Sequence, residues 1–193
     1  MSKIFYLMGK SASGKDTIYK KIKEKLPELS PIVLYTTRPI RENEREGVEY
    51  HFVDEEKLRE LQKAGKVIEL RAYDTVHGVW KYFTVDDGQF AAEQNYVAIG
   101  TLESYKGLRD YLGEDCLIPI YIEVDDGLRL ARALERERAQ GQPKYEELCR
   151  RFLADAADFS EEKLREAGIT NRFRNVDIET CVEEIVLGIR ENL

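Results

Sequence analysis

The chain has 193 residues, of which 42% are apolar and 35% charged, and this length suits one domain with one sizeable core. No apolar run approaches the roughly 20 residues that span a bilayer, so a membrane partner is not expected. The formal charge of -7 argues against nonspecific nucleic-acid binding, which requires a basic surface. These numbers are ordinary for a soluble globular protein.

The cysteines and histidines are few and widely spaced. Cys116, Cys149 and Cys181 form no CxxC pair, and the chain has only two histidines, of which His77 is interpreted as structural or incidental. This pattern argues against a disulfide framework or a zinc site and favours a reducing compartment. The first residues form too short an apolar segment for a signal peptide. The expected location is therefore the cytoplasm.

Apolar periodicity predicts an alternation of strands and helices along the chain. The predicted strands are residues 3–8, 31–35, 50–53, 67–70, 81–85, 96–100 and 116–124. The predicted helices are residues 17–26, 54–64, 86–93, 104–112, 126–139, 145–167 and 180–192. Such alternation is typical of an α/β domain in three layers with a mainly parallel sheet. Residues 34–85, with several short strands and one helix, interrupt the rhythm and are interpreted as an inserted substrate subdomain.

A glycine-rich loop follows the first predicted strand. Residues 9–17 read Gly-Lys-Ser-Ala-Ser-Gly-Lys-Asp-Thr and satisfy the pattern GxxxxGK between a buried strand and an amphipathic helix. Glycines allow successive backbone N–H groups to point at phosphate oxygens, and the helix N-terminus adds partial positive charge. Lys15 is placed to reach the outer phosphates of a nucleoside triphosphate. The competing interpretation is an ordinary glycine turn.

The residue after Lys15 differs from the usual serine or threonine. Asp16 occupies that position and Thr17 follows it. A carboxylate is a good ligand for Mg²⁺, so Asp16 is predicted to bind the metal directly or through water, while Thr17 is an alternative ligand through its hydroxyl. The Asp16 charge also opposes triphosphate binding unless a metal intervenes.

Two arginines lie three residues apart on a proline-containing segment. Residues 36–41 read Thr-Thr-Arg-Pro-Ile-Arg, and residues 47–53 read Gly-Val-Glu-Tyr-His-Phe-Val. Arg38 and Arg41 are able to converge on one phosphate through charge-assisted hydrogen bonds. The alternative is a pair of surface arginines neutralised by Glu42, Glu44 and Glu46.

The loop at residues 9–17 and the segment at residues 36–53 together resemble guanylate kinase, a P-loop nucleoside monophosphate kinase. The resemblance implies a P-loop NTPase fold and transfer of a phosphoryl group from ATP to GMP, with Mg²⁺ bound alongside ATP. It implies one domain with a core at about 1–33, 96–130 and 152–193, a monophosphate-binding subdomain at about 34–85 and a helical lid at about 131–151. The implied partners are nucleotides, for a monomer or homodimer.

The resemblance also assigns roles to individual residues. The implied GMP-binding residues are Arg38, Arg41, Tyr50, Glu69, Tyr82 and Thr84. Among them Glu69 matches the glutamate that accepts hydrogen bonds from N1 and N2 of guanine. The implied ATP-binding residues are Gly9, Ser11, Ala12, Ser13, Gly14, Lys15, Asp16, Thr17, Arg132 and Asn175. The implied catalytic residues, which neutralise charge on the transferred group, are Lys15, Arg136 and Arg151.

Some positions depart from the family pattern. Leu34 stands where the family usually has a serine that touches guanine, and residues 98–102 lack a clear match to its acidic residues after the central strand. These departures leave open a kinase for another nucleotide or small phosphorylated acceptor. A non-catalytic guanylate-kinase-like binding module is the alternative from another class. For Arg132, Arg136 and Arg138, a salt-bridged solvent face competes with the lid role.

Overall fold

The computed structural model describes residues 2–42, 44–75, 78–91 and 93–193. The interpretation of His77 therefore lies outside the described residues. Among those described, no helix combines the length and the apolar character needed to cross a membrane.

A five-stranded parallel sheet forms the centre of the fold, in the order β2-β7-β1-β8-β9. Its strands are β1 (Ile4–Met8), β2 (Ser30–Pro31), β7 (Tyr96–Gly100), β8 (Leu117–Glu123) and β9 (Arg172–Arg174). In register, Ile4 of β1 lies between Tyr96 and Leu117, and the pairing continues to Met8. The central strand is therefore buried on both edges and both faces, as its continuous apolar sequence predicts.

Helices cover both faces of this sheet. The helices that the structure describes are α1 (Lys15–Lys25), α2 (Glu55–Lys63), α3 (Leu102–Leu112), α4 (Asp126–Arg138), α5 (Tyr145–Asp158), α6 (Glu161–Glu166) and α7 (Ile178–Arg190), of which α2 packs elsewhere. Phe5 and Leu7 of β1 pack with apolar residues of α1 and α7, whereas Tyr6 and Met8 pack on the other face with α3 and α6. This alternation along one strand produces the predicted three-layer α/β domain, which is confirmed.

A second sheet of four strands lies between β2 and β7 in the sequence. Its strands are β3 (Tyr35–Thr36), β4 (His51–Phe52), β5 (Val67–Thr75) and β6 (Gly78–Val85), in the order β4-β3-β6-β5. Helix α2 packs on it through Leu58, which contacts Phe83 and Val85 in a small separate core. Asp54 begins this helix, because its carboxylate accepts a hydrogen bond from the Lys57 N–H at 2.8 Å.

The single strand predicted at residues 31–35 is in fact two short strands that belong to different sheets. β2 pairs with β7 of the parallel sheet, whereas β3 pairs with β4 and β6. The chain thus passes from the core to the second sheet within residues 32–34. Apolar periodicity cannot register this change because the intervening residues, Ile32 and Leu34, are buried as well.

Two predicted helices differ from the structure. In residues 86–93, the part that the structure describes contains no helix: Gly88 adopts φ +95, and the Gln89 side chain bonds to Val33 and Val85 instead. The helix predicted at residues 145–167 is two helices, because the chain turns at Phe159. That side chain is buried in the core, and Ser160 then caps α6. The strand β9 was not predicted.

Candidate active site

The glycine-rich loop connects β1 to α1 and depends on both of its glycines. A Cβ atom at Gly9 would lie 2.7 Å from the Ile122 carbonyl oxygen, so only glycine allows this approach to β8. Gly14 is the N-cap of α1 with φ +85, and a Cβ there would meet the Asn175 amide nitrogen at 2.5 Å. The two glycines therefore allow the loop to lead directly into the start of α1. At that position, backbone N–H groups and the positive end of the helix dipole favour a phosphate.

Asn175 fixes this loop from the opposite side. It lies directly after β9, is only 2% exposed, and its Nδ2 donates to the Ser13 carbonyl at 2.8 Å. Among the described residues, the buried Ser13 Oγ and Asn175 Oδ1 have no hydrogen-bond partner. The structure thus brings the predicted ATP-binding residue Asn175 into direct contact with the loop.

Lys15, Asp16 and Thr17 form the first turn of α1. The Lys15 Nζ lies 3.7 Å from the Asp16 carboxylate, whose side chain is 79% exposed, and Thr17 is also exposed. An exposed carboxylate and a hydroxyl beside the loop are hard oxygen donors of the type that Mg²⁺ takes together with phosphate oxygens. The donor set therefore fits the predicted metal.

Arg38 lies in the half of the site that belongs to the second sheet, and only 3% of its surface is exposed. Its guanidinium makes a forked pair of bonds to Glu44 at 2.8 and 2.9 Å, and its Cζ lies 5.5 Å from the ring centres of Tyr50 and Phe52. Burial opposes the charged form, but Glu44 raises the pKa of Arg38 above its ordinary value. The Arg38 Nε is buried without a partner among the described residues.

The ion pair proposed as an alternative for Arg38 is thus present, but it is buried rather than on the surface. Arg41 is different: its side chain is exposed, and its backbone N–H donates to Glu44 at 2.9 Å. Glu44 consequently orders the segment that carries both arginines.

Tyr50 and Tyr82 lie beside Arg38. Their ring centres are 5.6 Å apart in an edge-to-face arrangement. Burial is the main cause that raises the pKa of Tyr50, and the carboxylate of Asp16 adds to it. This interaction places Tyr50 within electrostatic range of the first turn of α1. Tyr50 also packs against the core cluster that contains Met8, the residue before the glycine-rich loop, so the loop and the arginine-bearing segment are near each other.

Glu69 lies on β5 with a side chain only 7% exposed, and it is already paired. Arg71 donates to its carboxylate from Nε at 2.9 Å and from Nη2 at 3.3 Å, and the Thr84 hydroxyl donates at 2.6 Å. Arg71 was missed in the sequence. Alternation along a strand was the available signal, because it puts Arg71 on the same face as Glu69.

A second missed residue is Arg129 on α4, which is 1% exposed. It donates to Asp155 of α5 at 3.0 Å and to the Ser11 carbonyl at 3.3 Å, while Asp155 accepts from the Ser11 N–H at 2.8 Å. Asp126 binds the other side of the guanidinium at 2.9 Å. The helices α4 and α5, which contain the two ends of the predicted lid, are thus tied to the phosphate loop.

Among the described residues, the predicted lid arginines make few contacts with the rest of the site. Arg132 donates to the Asn175 carbonyl at 3.4 Å, whereas Arg136 and Arg138 are exposed on α4. Arg151 is exposed on α5 and donates to Glu147 at 2.7 Å. The roles of Arg136 and Arg151 at the reacting phosphate stay predictions.

The contact between Asp155 and the loop is testable by an isosteric change. We expect Asp155→Asn to lower the free energy of unfolding by about 1–3 kcal/mol, since the buried Arg129 loses one of its two carboxylate partners. Urea titration measures this change. Asp158→Asn, on the exposed end of the same helix, is the matched control and should cost less than about 0.5 kcal/mol. Equal losses in the two variants would contradict the account.

Comparison with known proteins points to the same family that the sequence motifs resemble. Residues 1–80 match the family model described as guanylate kinase. A guanylate kinase from Frankia casuarinae is 48% identical over 63 residues, which are 33% of this chain and 34% of that protein. A guanylate kinase from Salinibacter ruber is 28% identical over 98% of this chain and 96% of its own length.

The fold is matched over a similar extent. The crystal structure of guanylate kinase from Anaplasma phagocytophilum has a TM-score of 0.63 and 23% identity, covering 98% of this chain and 85% of that one. The parallel sheet and the glycine-rich loop between β1 and α1 define a P-loop NTPase fold. Within that fold, the chain is similar to guanylate kinases, through the family model over residues 1–80 and through the Salinibacter ruber relative along 98% of its length.

Proposed function

We propose that the protein transfers the γ-phosphoryl group of ATP to a nucleoside monophosphate, with GMP as the acceptor and GDP and ADP as products. One observation supports this proposal: the phosphate loop with Lys15 and the segment with Arg38 and Arg41 are near each other through Tyr50, which lies beside Arg38 and packs against the core cluster that contains Met8 before the loop. A donor phosphate on one side and an acceptor phosphate on the other would meet between them.

On the donor side, ATP lies on residues 9–17, with Arg132 and Asn175 beside it. The backbone N–H groups of the loop and Lys15 hold the phosphates. Asp16 and Thr17 would hold Mg²⁺, which supplies charge neutralisation between phosphate oxygens. Asn175 keeps the loop in its binding conformation through the bond to the Ser13 carbonyl.

On the acceptor side, the phosphate is bound by Arg38, Arg41, Tyr50 and Tyr82. Glu44 holds the Arg38 guanidinium in one orientation, so its remaining N–H groups are preorganised for an anion. Glu69 and Thr84 contact the base. The acceptor phosphate is itself the nucleophile, so no general base is required.

Catalysis arises from positioning and charge neutralisation rather than from covalent chemistry. Lys15, Arg136 and Arg151 stabilise the charge on the transferred group. Closure of the lid at about 131–151 brings its arginines to the cleft and excludes water. The three cysteines are free, in keeping with a reducing compartment, and we propose a cytoplasmic monomer or homodimer.

Initial-rate measurements of ADP release test the proposal directly. The purified protein is given Mg²⁺, ATP and one nucleoside monophosphate at a time, with GMP and dGMP expected to be active. If both are inert while another acceptor works, the guanine assignment is wrong. Absence of transfer to every acceptor, together with no thermal shift on adding ATP and Mg²⁺, would favour the non-catalytic binding module.

The alternative of another acceptor is favoured by a specific observation. The Glu69 carboxylate is buried in a pair with Arg71, and Leu34 is a buried core residue at 8% exposure that offers no polar group. Both features reduce the number of groups available to read guanine.

A further inference from the structure

The phosphate loop contains a tight turn whose third residue is strained. Residues 10–13 form this turn, which is closed by a hydrogen bond from the Ser13 N–H to the Lys10 carbonyl at 3.1 Å. Ala12, the third residue, adopts φ +61, in the left-handed region. Such a turn normally has glycine or asparagine at this position, because a Cβ atom makes a left-handed backbone unfavourable. Contacts from outside the turn are therefore needed to hold Ala12 in this conformation.

Two side chains from neighbouring helices hold the residue before Ala12. The Ser11 N–H donates to the Asp155 carboxylate at 2.8 Å, and the Ser11 carbonyl accepts from Arg129 at 3.3 Å. Arg129 also donates to Asp155 at 3.0 Å, and its Cζ lies 4.1 Å from the ring centre of Phe152. The guanidinium is fully buried, so it has little freedom to move. Both backbone groups of Ser11 are thus fixed from α4 and α5.

The bond to the Ser11 carbonyl sets the orientation of the peptide group between Ser11 and Ala12. In a planar trans peptide the C=O and N–H point in opposite directions. A carbonyl that faces Arg129 therefore leaves the Ala12 N–H turned away from Arg129. Flipping this peptide would give Ala12 an ordinary negative φ, but it would also turn the N–H toward Arg129. The strained turn is thus the one that keeps this N–H away from α4.

We infer that Arg129 and Asp155 are positioning residues for the donor nucleotide. By holding both backbone groups of Ser11, they keep the Ala12 N–H in the orientation that donates to a phosphate oxygen of ATP. Both act through the loop backbone, and no contact with ATP is assigned to either side chain. The inference rests on the proposed function, in which residues 9–17 bind the donor phosphates.

A double-mutant cycle tests the cause. Asp155→Ala removes the acceptor of the Ser11 N–H and one of the two carboxylates that hold Arg129. We expect it to raise the Kd of ATP with Mg²⁺, measured by calorimetric titration, about 5–30-fold, the factor that corresponds to the cost of one left-handed residue with a Cβ. Glycine adopts this conformation without that cost, so in the Ala12→Gly background the same change should raise Kd less than about threefold.

The two arms of the cycle remove the same charge, so electrostatic effects on the triphosphate cancel in their ratio. Equal rises of Kd in the two backgrounds would overturn the inference. If Asp155→Ala does not fold, Arg129→Met takes its place in the cycle. This variant removes the donor to the Ser11 carbonyl and keeps an unbranched side chain against Phe152, and the same difference between the backgrounds is expected.

Glu93→Gly is the matched control. Within the described part of the chain, Glu93, at φ +75, is the other non-glycine residue with a positive φ, and it lies in the turn before β7. Its replacement relieves the same backbone cost elsewhere, so it should not reduce the effect of Asp155→Ala on ATP binding. A rescue as strong as that by Ala12→Gly would show that Asp155 acts only through overall stability, contrary to the inference.

The conformation of Ala12 is also measurable without a nucleotide. NMR chemical shifts and scalar couplings of the ligand-free protein report its φ, which should be positive in the wild type and move toward negative values in folded Asp155→Ala. A φ that stays positive in this variant would overturn the inference. If the wild type binds ATP but the cycle shows no coupling, the inference alone fails. If the wild type binds no ATP, the proposed function fails, and the φ of Ala12 in Asp155→Ala then decides whether these side chains hold the loop.

Discussion

Replacing Lys15 with alanine is expected to lower kcat for phosphoryl transfer by at least about 10³-fold, the scale associated with removing a preorganised charge from a phosphoryl-transfer site. The ammonium group lies on the first turn of α1, directly after the left-handed Gly14. Lys10, the other lysine of the loop, is already paired with Asp126 at 3.3 Å. Rates of ADP release with GMP as acceptor measure the loss.

The matched control for this change is Lys20→Ala. Lys20 lies on the solvent-exposed side of the same helix, five residues beyond Lys15 in the sequence. Its replacement should leave kcat within about twofold, because a surface substitution away from the site changes little. A Lys15→Ala variant that is folded and retains more than a tenth of wild-type kcat would contradict the role of the loop.

Replacing Arg41 with alanine is expected to raise KM for the acceptor by about 10–100-fold and to change kcat by less than about threefold. The reason is that its exposed guanidinium binds the acceptor phosphate equally in the ground state and the transition state. Arg41 is the better target than Arg38, whose removal would leave the Glu44 carboxylate without its forked partner and confuse binding with stability. Initial rates over a range of GMP concentrations separate the two constants.

Arg45→Ala provides the control on the same segment, since Arg45 is also exposed. Its KM for GMP should stay within about twofold of wild type. A fall in kcat for Arg41→Ala at constant KM would show that this arginine acts only on the transition state, which contradicts the assigned role in acceptor binding.

The part of the site that lies within one continuous segment of the chain was predictable from the sequence. The buried strand β1, the glycines at 9 and 14 and the first turn of α1 are adjacent in the chain, and the local rules for strands, turns and helix starts apply to them directly. Asp54 at the start of α2 is another such case. The resemblance to a family supplied Glu69, which no local rule identifies.

Contacts between distant segments were not predictable. Arg129 reads as one of many charges on an amphipathic helix, and only the fold brings it to Ser11 and Asp155. Arg71 is a similar case, because its meaning depends on Glu69 and on Thr101 at the start of α3. The failure at residues 86–93 has the same origin, since the Gln89 side chain bonds to Val33 and Val85 in place of a helical turn.

The most direct test of the two facing anion sites is inhibition by an analogue in which adenosine and guanosine are joined through a polyphosphate chain. Such a molecule occupies the phosphate loop and the arginine segment at once. Inhibition competitive with both ATP and GMP is the expected result, with tight binding lost in both Lys15→Ala and Arg41→Ala. Competition with ATP alone, unaffected by Arg41→Ala, would contradict a shared cleft.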